Sequence, residues 1–423
     1  MYDEIFETVV QITHHDYAGC IDKKGWDHPA YFREQIATRQ LNDQSFEALM
    51  QDYLRDYQEL HMGFRRLEQE SQRDVGFTVR RYEDSLYVTS SQQEKRIQVG
   101  DRIVALDGET IEQAAKRHAR ELKASHHERE DWSGVLLDTS EVEVIASSGG
   151  GRTLALQAFT KLPHTPSYKI ESVEDTLILT MTDFWNHDAI TELIRHNEGR
   201  FQNAKKLIID VRTNKGGSDL AYSELLPYLF KGSHVDLRDF GDKAYTLCTE
   251  RNVDLRVELM DQVLQTIEDE KTRHQIDVMV RELKKNRGNG FVELDLSEIE
   301  DNMSFDTKQG PEEVVVLSDV FCGSSGDSFV ETVKHSDKVT VIGRPTLGMN
   351  DYANVAMMTM EEKFQFWYPT SKSSAVDEGN GMGGVGIQPD VYIPWTPEHL
   401  DKDVDLERSM EVLENFTHKG SNI

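Results

Sequence analysis

The run Val314-Val315-Val316-Leu317-Ser318-Asp319-Val320-Phe321-Cys322-Gly323-Ser324-Ser325-Gly326-Asp327-Ser328-Phe329 reads as a buried strand that ends in a polar turn and continues as a helix. Consecutive apolar residues, mostly β-branched, suit a strand covered on both faces, as in a parallel sheet. The turn places Ser324 among the small residues Gly323, Ser325 and Gly326, so a substrate backbone can approach it. At such a junction a serine Oγ is exposed on a tight turn, while the first N–H groups of the helix and its positive dipole end face the reacting atom. Ser and Asp are also common helix caps, and this stretch alone leaves a nucleophile and an N-cap both open.

Working outward, the same strand-then-helix rhythm recurs. Leu177 to Met181, Lys206 to Arg212 and Val339 to Ile342 read as strands, and Asp188 to Phe201 and Leu220 to Leu229 as helices. Alternation of this kind predicts an α/β core with a mostly parallel sheet over residues 163–400. The second strand closes in Asp210-Val211-Arg212-Thr213-Asn214-Lys215-Gly216-Gly217-Ser218. Active sites of open α/β sheets lie at the carboxyl ends of strands. Two glycines there allow positive φ and free a backbone N–H for an oxyanion, although a plain tight turn has the same signature. Residues 253–287 carry Leu255, Leu259, Val263, Ile267, Ile276, Val278, Met279 and Leu283 in a charged background. They read as a helical insertion, either a lid or a solvated pair without a catalytic role.

Towards the N-terminus the period changes. Residues 1–70 are expected to be helical, with Phe46, Leu49, Met50, Tyr53, Leu54, Tyr57 and Leu60 spaced three and four apart. Residues 71–162 switch to alternation in Phe77 to Tyr82 and Ser85 to Thr89, then strands at Glu141 to Ala146 and Thr153 to Phe159, with a helix at about Ile111 to Lys123. Residues 401–423 form a C-terminal tail or helix.

Composition narrows the function. A chain of 423 residues with 38% hydrophobic and 29% charged residues is globular and multidomain. The net charge of −29 argues against nucleic acid or an anionic membrane as partner. Acidic residues at the start (Asp3, Glu4, Glu7) and three scattered cysteines, Cys20, Cys248 and Cys322, point to a reducing, cytoplasmic setting. Cys322 is expected to pack beneath the turn. The His14-His15-Asp16 run lacks ligand spacing, so neither a metal nor a cofactor is expected.

Two resemblances follow from these residues. Val99-Gly100-Asp101-Arg102-Ile103-Val104-Ala105-Leu106-Asp107-Gly108-Glu109-Thr110-Ile111 resembles the core of a PDZ domain, with an insertion near His126 to Trp132; PDZ domains bind peptide ends at a sheet edge. This PDZ-like segment, the runs Leu60-His61-Met62-Gly63-Phe64, Ile209 to Gly217 and Cys322 to Asp327, and Gly343-Arg344-Pro345-Thr346-Leu347-Gly348 with the later Gly384 to Asp390, occur in the order seen in another family. Together they resemble the carboxyl-terminal processing peptidases and the tricorn core protease, which are serine peptidases. The resemblance implies Ser324 as nucleophile, with the Ser325 N–H and the Gly216-Gly217 turn as oxyanion donors. Processing peptidases place a general-base lysine where this chain has Met349, which cannot accept a proton. In tricorn-like members a histidine takes that role, and His61 falls in its place; an imidazole suits an unactivated serine. The resemblance further implies an orienting carboxylate, Asp377 or Glu378. The expected partner is a peptide or protein substrate, with a homo-oligomer left open. A silent relative that binds peptides or small ligands in the same cleft is the rival reading. An esterase is disfavoured, since Cys322-Gly323-Ser324-Ser325-Gly326 misses Gly-x-Ser-x-Gly by one position.

Overall fold

The computed structural model describes residues 1–67, 72–122, 126–240, 243–265 and 270–420. Lys123, Ile267, residues 68–71 at the expected domain boundary and residues 421–423 lie outside the described residues. The fold is mixed α/β, in two compact units.

One unit comprises Ser71–Val235, Asp306–Gly348 and Gly384–Ile423. Its sheet runs in the order Tyr168–Val173, Thr176–Met181, Lys206–Asp210, Glu313–Ser318, Val339–Gly343, Val391–Tyr392. The first pair is antiparallel and the other pairs are parallel. The register sets Ile178 beside Ile208 and Ile208 beside Val315, and these side chains form a buried cluster with Leu317, Ile342 and Leu413 of the helix Val404–Gly420. Each such side chain stabilises the layer by about 1.5–3 kcal/mol relative to an exposed position. The helix Ser325–Val333 is fixed by Phe329, which packs edge-on to Phe184 and Tyr222 with centroids 5.8 and 5.1 Å apart.

The β-rich part of this unit is an antiparallel sheet in the order Phe77–Tyr82, Ser85–Ser91, Arg102–Leu106, Glu141–Ile145, Gly151–Ala155, with the helix Ile111–Arg117. Leu86, Val88, Ile103, Val142, Val144 and Trp132 build its separate core. The insertion around His126 to Trp132 acts as a bracket. Arg129 donates to the carbonyls of Thr346 (2.8 Å) and Leu347 (2.5 Å), while Glu128 accepts from the Tyr392 hydroxyl (2.7 Å) and the Trp395 N–H (2.6 Å). A buried ion network adds to it: Arg80 forks onto Asp319 at 2.9 and 2.5 Å, and Arg344 joins Asp319 (2.9 Å) to Asp405 (2.9 and 2.5 Å).

The second unit comprises Met1–Glu70, Asp236–Phe305 and Met349–Gly383. Residues 236–305 and 349–383, placed in the α/β core by the sequence reading, belong instead with the N-terminal helices. The reason is the long strand Phe364–Ser373, which pairs antiparallel with Tyr352–Met360, Gly63–Arg66 and Ala244–Leu247. Helices Tyr2–His15, Pro29–Thr38 and Asp43–Leu54 share one core with this sheet through Phe46, Phe64, Phe364 and Phe366. The insertion expected over 253–287 is a helical pair, Glu250–Leu264 and Glu270–Lys285. Buried Asn252 ties the first of these in, donating to the carbonyls of Asp16 (2.7 Å) and Leu247 (2.8 Å) and accepting from Tyr368 (2.8 Å).

Candidate active site

Ser324 is the residue before the helix Ser325–Val333, with φ 57° and ψ −121°. A non-glycine side chain at that positive φ costs about 1–3 kcal/mol and persists only where surrounding bonds over-determine it. Those bonds are present. The buried Asp327 carboxylate accepts the N–H groups of Ser324 and Gly348, both at 2.8 Å. The Gly323 N–H donates to the Asn214 carbonyl (3.0 Å) and the Leu347 N–H to that of Cys322 (2.7 Å). Cys322 is fully buried, and burial pushes its thiol well above the usual range, so it is no rival nucleophile.

The diglycine loop lies against this turn. Gly216 has φ 75° and Gly217 φ 144°. A Cβ on Gly216 would stand 2.7 Å from that of Ser324, and one on Gly217 would stand 2.2 Å from the Phe184 carbonyl carbon; only glycine fits either position. The Gly216 N–H donates to the Asn214 side-chain oxygen at 2.9 Å. Among the described residues the Gly217 and Ser325 N–H groups have no acceptor, which is the state an oxyanion donor requires.

Sequence reasoning missed Asp219. The residue is exposed as a whole, yet its carboxyl is turned inward, accepting the Ser325 hydroxyl at 2.5 Å and hydrogen-bonding Tyr222. Burial of that carboxyl raises its pKa. Only its place two residues after Gly217 could have drawn attention to it.

His61, Asp377 and Glu378 lie in the other unit. His61 Nδ1 is 2.8 Å from the Tyr352 carbonyl oxygen. A carbonyl can only accept, so Nδ1 carries a proton, and in the neutral ring the lone pair is then on Nε2, the tautomer of a base. The His61 N–H donates to Glu59 (3.0 Å), a buried carboxylate that also takes the Tyr17 hydroxyl (3.0 Å) and Lys23 (3.3 Å). The carboxylates expected to orient His61 are differently engaged. Asp377 pairs with Lys372 at 2.7 Å, and Glu378 is exposed; the atom facing Nδ1 is a main-chain oxygen, invisible to side-chain pattern reading.

Residues 175–393, just over half of the chain, match peptidase family S41. The chain belongs to peptidase family S41. As an S41 member it is a serine peptidase. Its fold is that of mature CPAF, with which it shares 13% identity at a TM-score of 0.63 over 97% of this chain and 96% of that one. Mature CPAF complexed with lactacystin matches at 14% identity and TM-score 0.65, covering 100% and 99%. The photosystem II D1 C-terminal processing protease follows at 13% and 0.46, covering 97% of each chain. No curated protein sequence matches. Among the described residues of this S41 peptidase no His, Cys, Asp and Glu group could hold a metal, and no helix is long and apolar enough to cross a membrane.

Proposed function

We propose that this S41 peptidase cleaves peptides or protein C-termini through an acyl-enzyme on Ser324, with His61 as general base. His61 Nε2 takes the Ser324 proton as Oγ attacks the scissile carbonyl, and the N–H groups of Gly217 and Ser325 hold the oxyanion. Collapse of the intermediate breaks the C–N bond, and the amine leaves with the proton from His61. Water then attacks the ester, returning its proton through the same imidazole. In this reading the Tyr352 carbonyl, 2.8 Å from Nδ1, holds the tautomer, the role that the family resemblance implies for Asp377 or Glu378. The β-rich part presents the substrate chain in the manner of a PDZ-like domain.

The observation that carries this reading is Ser324 at φ 57°, ψ −121° on a strand-to-helix turn. A helix cap does not require that strain. The test is hydrolysis of an internally quenched peptide library, followed by mass spectrometry of the products. Wild-type turnover that Ser324→Ala abolishes supports the proposal. No turnover by a folded wild-type protein leaves a silent peptide-binding relative.

A further inference from the structure

A cavity of about 880 Å³ opens beside the diglycine loop, between that loop and the first strand of the β-rich sheet. Lys215, the residue immediately before Gly216, and Lys161 both line it. Their backbones are pinned, the Lys215 N–H to the Thr182 carbonyl at 3.1 Å and the Lys161 N–H to that of Gln72 at 2.6 Å. Partial burial and then the charge of Lys161 lower the pKa of Lys215.

In a chain with 76 acidic residues, two lysines lining one cavity would ordinarily attract a carboxylate. Among the described residues neither ammonium group has a hydrogen-bond or ion-pair partner. The nearby carboxylates are engaged elsewhere. Asp74 accepts the Gly76 N–H at 2.7 Å, and Asp183 accepts His164 (2.7 Å), the Trp185 N–H (3.0 Å) and the Tyr168 hydroxyl. Asp183 only partly offsets the lowering at Lys215. The same cavity holds two features suited to a peptide. Phe77 and Thr78 belong to a strand at the edge of its sheet, and the indole of Trp185 is 56% exposed. An edge strand offers main-chain pairing, and an exposed indole offers a face for an apolar neighbour.

We infer that Lys161 and Lys215 form a carboxylate-binding subsite beside the oxyanion loop, so that this peptidase selects peptide segments bearing an acidic group. The inference rests on the proposed peptidase reading for its biological sense, but the lysine pair binds whether or not Ser324 reacts. Its ligand chemistry has two sources, an Asp or Glu side chain and a free peptide C-terminus.

The test is equilibrium binding to the full-length Ser324→Ala protein, which is independent of turnover. Fluorescein-labelled decapeptides carrying one Glu at each position in turn, or Gln in its place, are compared as C-terminal acids and C-terminal amides by anisotropy. The subsite predicts about fivefold tighter binding of the carboxylate-bearing peptide, the size of one or two partly screened charge pairs, with the preference shrinking as salt rises. A Glu-over-Gln preference at one position assigns the side-chain source, and an acid-over-amide preference regardless of Glu assigns the C-terminus. Lys161→Met and Lys215→Met each reduce the preference, and Lys215→Arg restores it; the distant Lys161 variant keeps the test readable if changes at Lys215 disturb the loop. Equal binding of all peptides, or a preference that survives both Met variants, overturns the inference. If wild type fails to hydrolyse peptides while the preference stands, the peptidase reading falls and the subsite remains.

Discussion

The turn of Ser324 and the turn of His61 are held in opposite ways. Ser324 adopts a strained backbone, clamped by Asp327, Asn214 and the Leu347 N–H. His61 is not at positive φ and hangs from hydrogen bonds to the Tyr352 carbonyl and the buried Glu59. Ser324 also caps its own helix, its side chain accepting the Asp327 N–H, yet it does so from an unusual φ and ψ that a cap alone does not need. A base must present one chosen nitrogen, which demands only an acceptor for the other. Perturbing the serine side should therefore expose stored strain, whereas perturbing the histidine side should release a side chain.

The largest effect separates chemistry from structure. Ser324→Ala lowers kcat/KM by about 10⁴-fold or more, and His61→Ala by about 10²–10⁴-fold, with far-UV circular dichroism unchanged in both. Comparable losses for the single variants and for the pair would show that the two turns act as one catalytic unit.

Next comes the ion network behind the serine strand. Arg344→Met leaves Asp319 and Asp405 without their shared cation and destabilises by about 3–5 kcal/mol, read in urea melts. The pH dependence follows the same groups. Burial alone would raise both carboxyls, but Arg80 and Arg344 hold Asp319 below the usual carboxylate range, while His399, Arg344 and Arg212 do so for Asp405. Folded pKa values below the unfolded ones mean stability that is fully present above about pH 4 and is lost as pH falls further. The urea midpoint should drop below that pH in wild type, and less steeply in Arg344→Met.

On the histidine side, Glu59→Ala strips Tyr17, Lys23 and the His61 N–H of their acceptor. It should cost about 3 kcal/mol in urea melts and lower kcat more than it raises KM. The smallest effect has the opposite sign. Ser324→Gly removes the positive-φ penalty and should stabilise the inactive protein by about 1 kcal/mol relative to Ser324→Ala. No such gain is expected from His61→Gly, and a gain there would erase the contrast between the two turns.

The same contrast explains what could be read from residues alone. The serine turn was legible because its demands fall on side-chain identity: an apolar strand, glycines at 216, 217 and 323, a helix start. The parallel strands around it were legible for the same reason. The histidine side was not, since its partner is a backbone carbonyl contributed 291 residues away. The hairpin that supplies Tyr352 was also hidden. It turns at Glu361 and Glu362, both at positive φ (51° and 53°), where Asn-Gly or Asp-Gly would have announced a two-residue turn. Without that signal, 349–383 reads as part of the core, and nothing local marks its union with the N-terminal helices. The Asp219 to Ser325 bond spans 106 residues and had no local pattern to betray it.

Covalent trapping reads the proposed activation of Ser324 most directly. Wild-type protein treated with a fluorophosphonate, digested and mapped by mass spectrometry should carry one adduct, on Ser324, formed far more slowly in His61→Ala and absent in Ser324→Ala. An unmodified Ser324 under conditions that label an active serine peptidase, or an adduct on another serine, would contradict it.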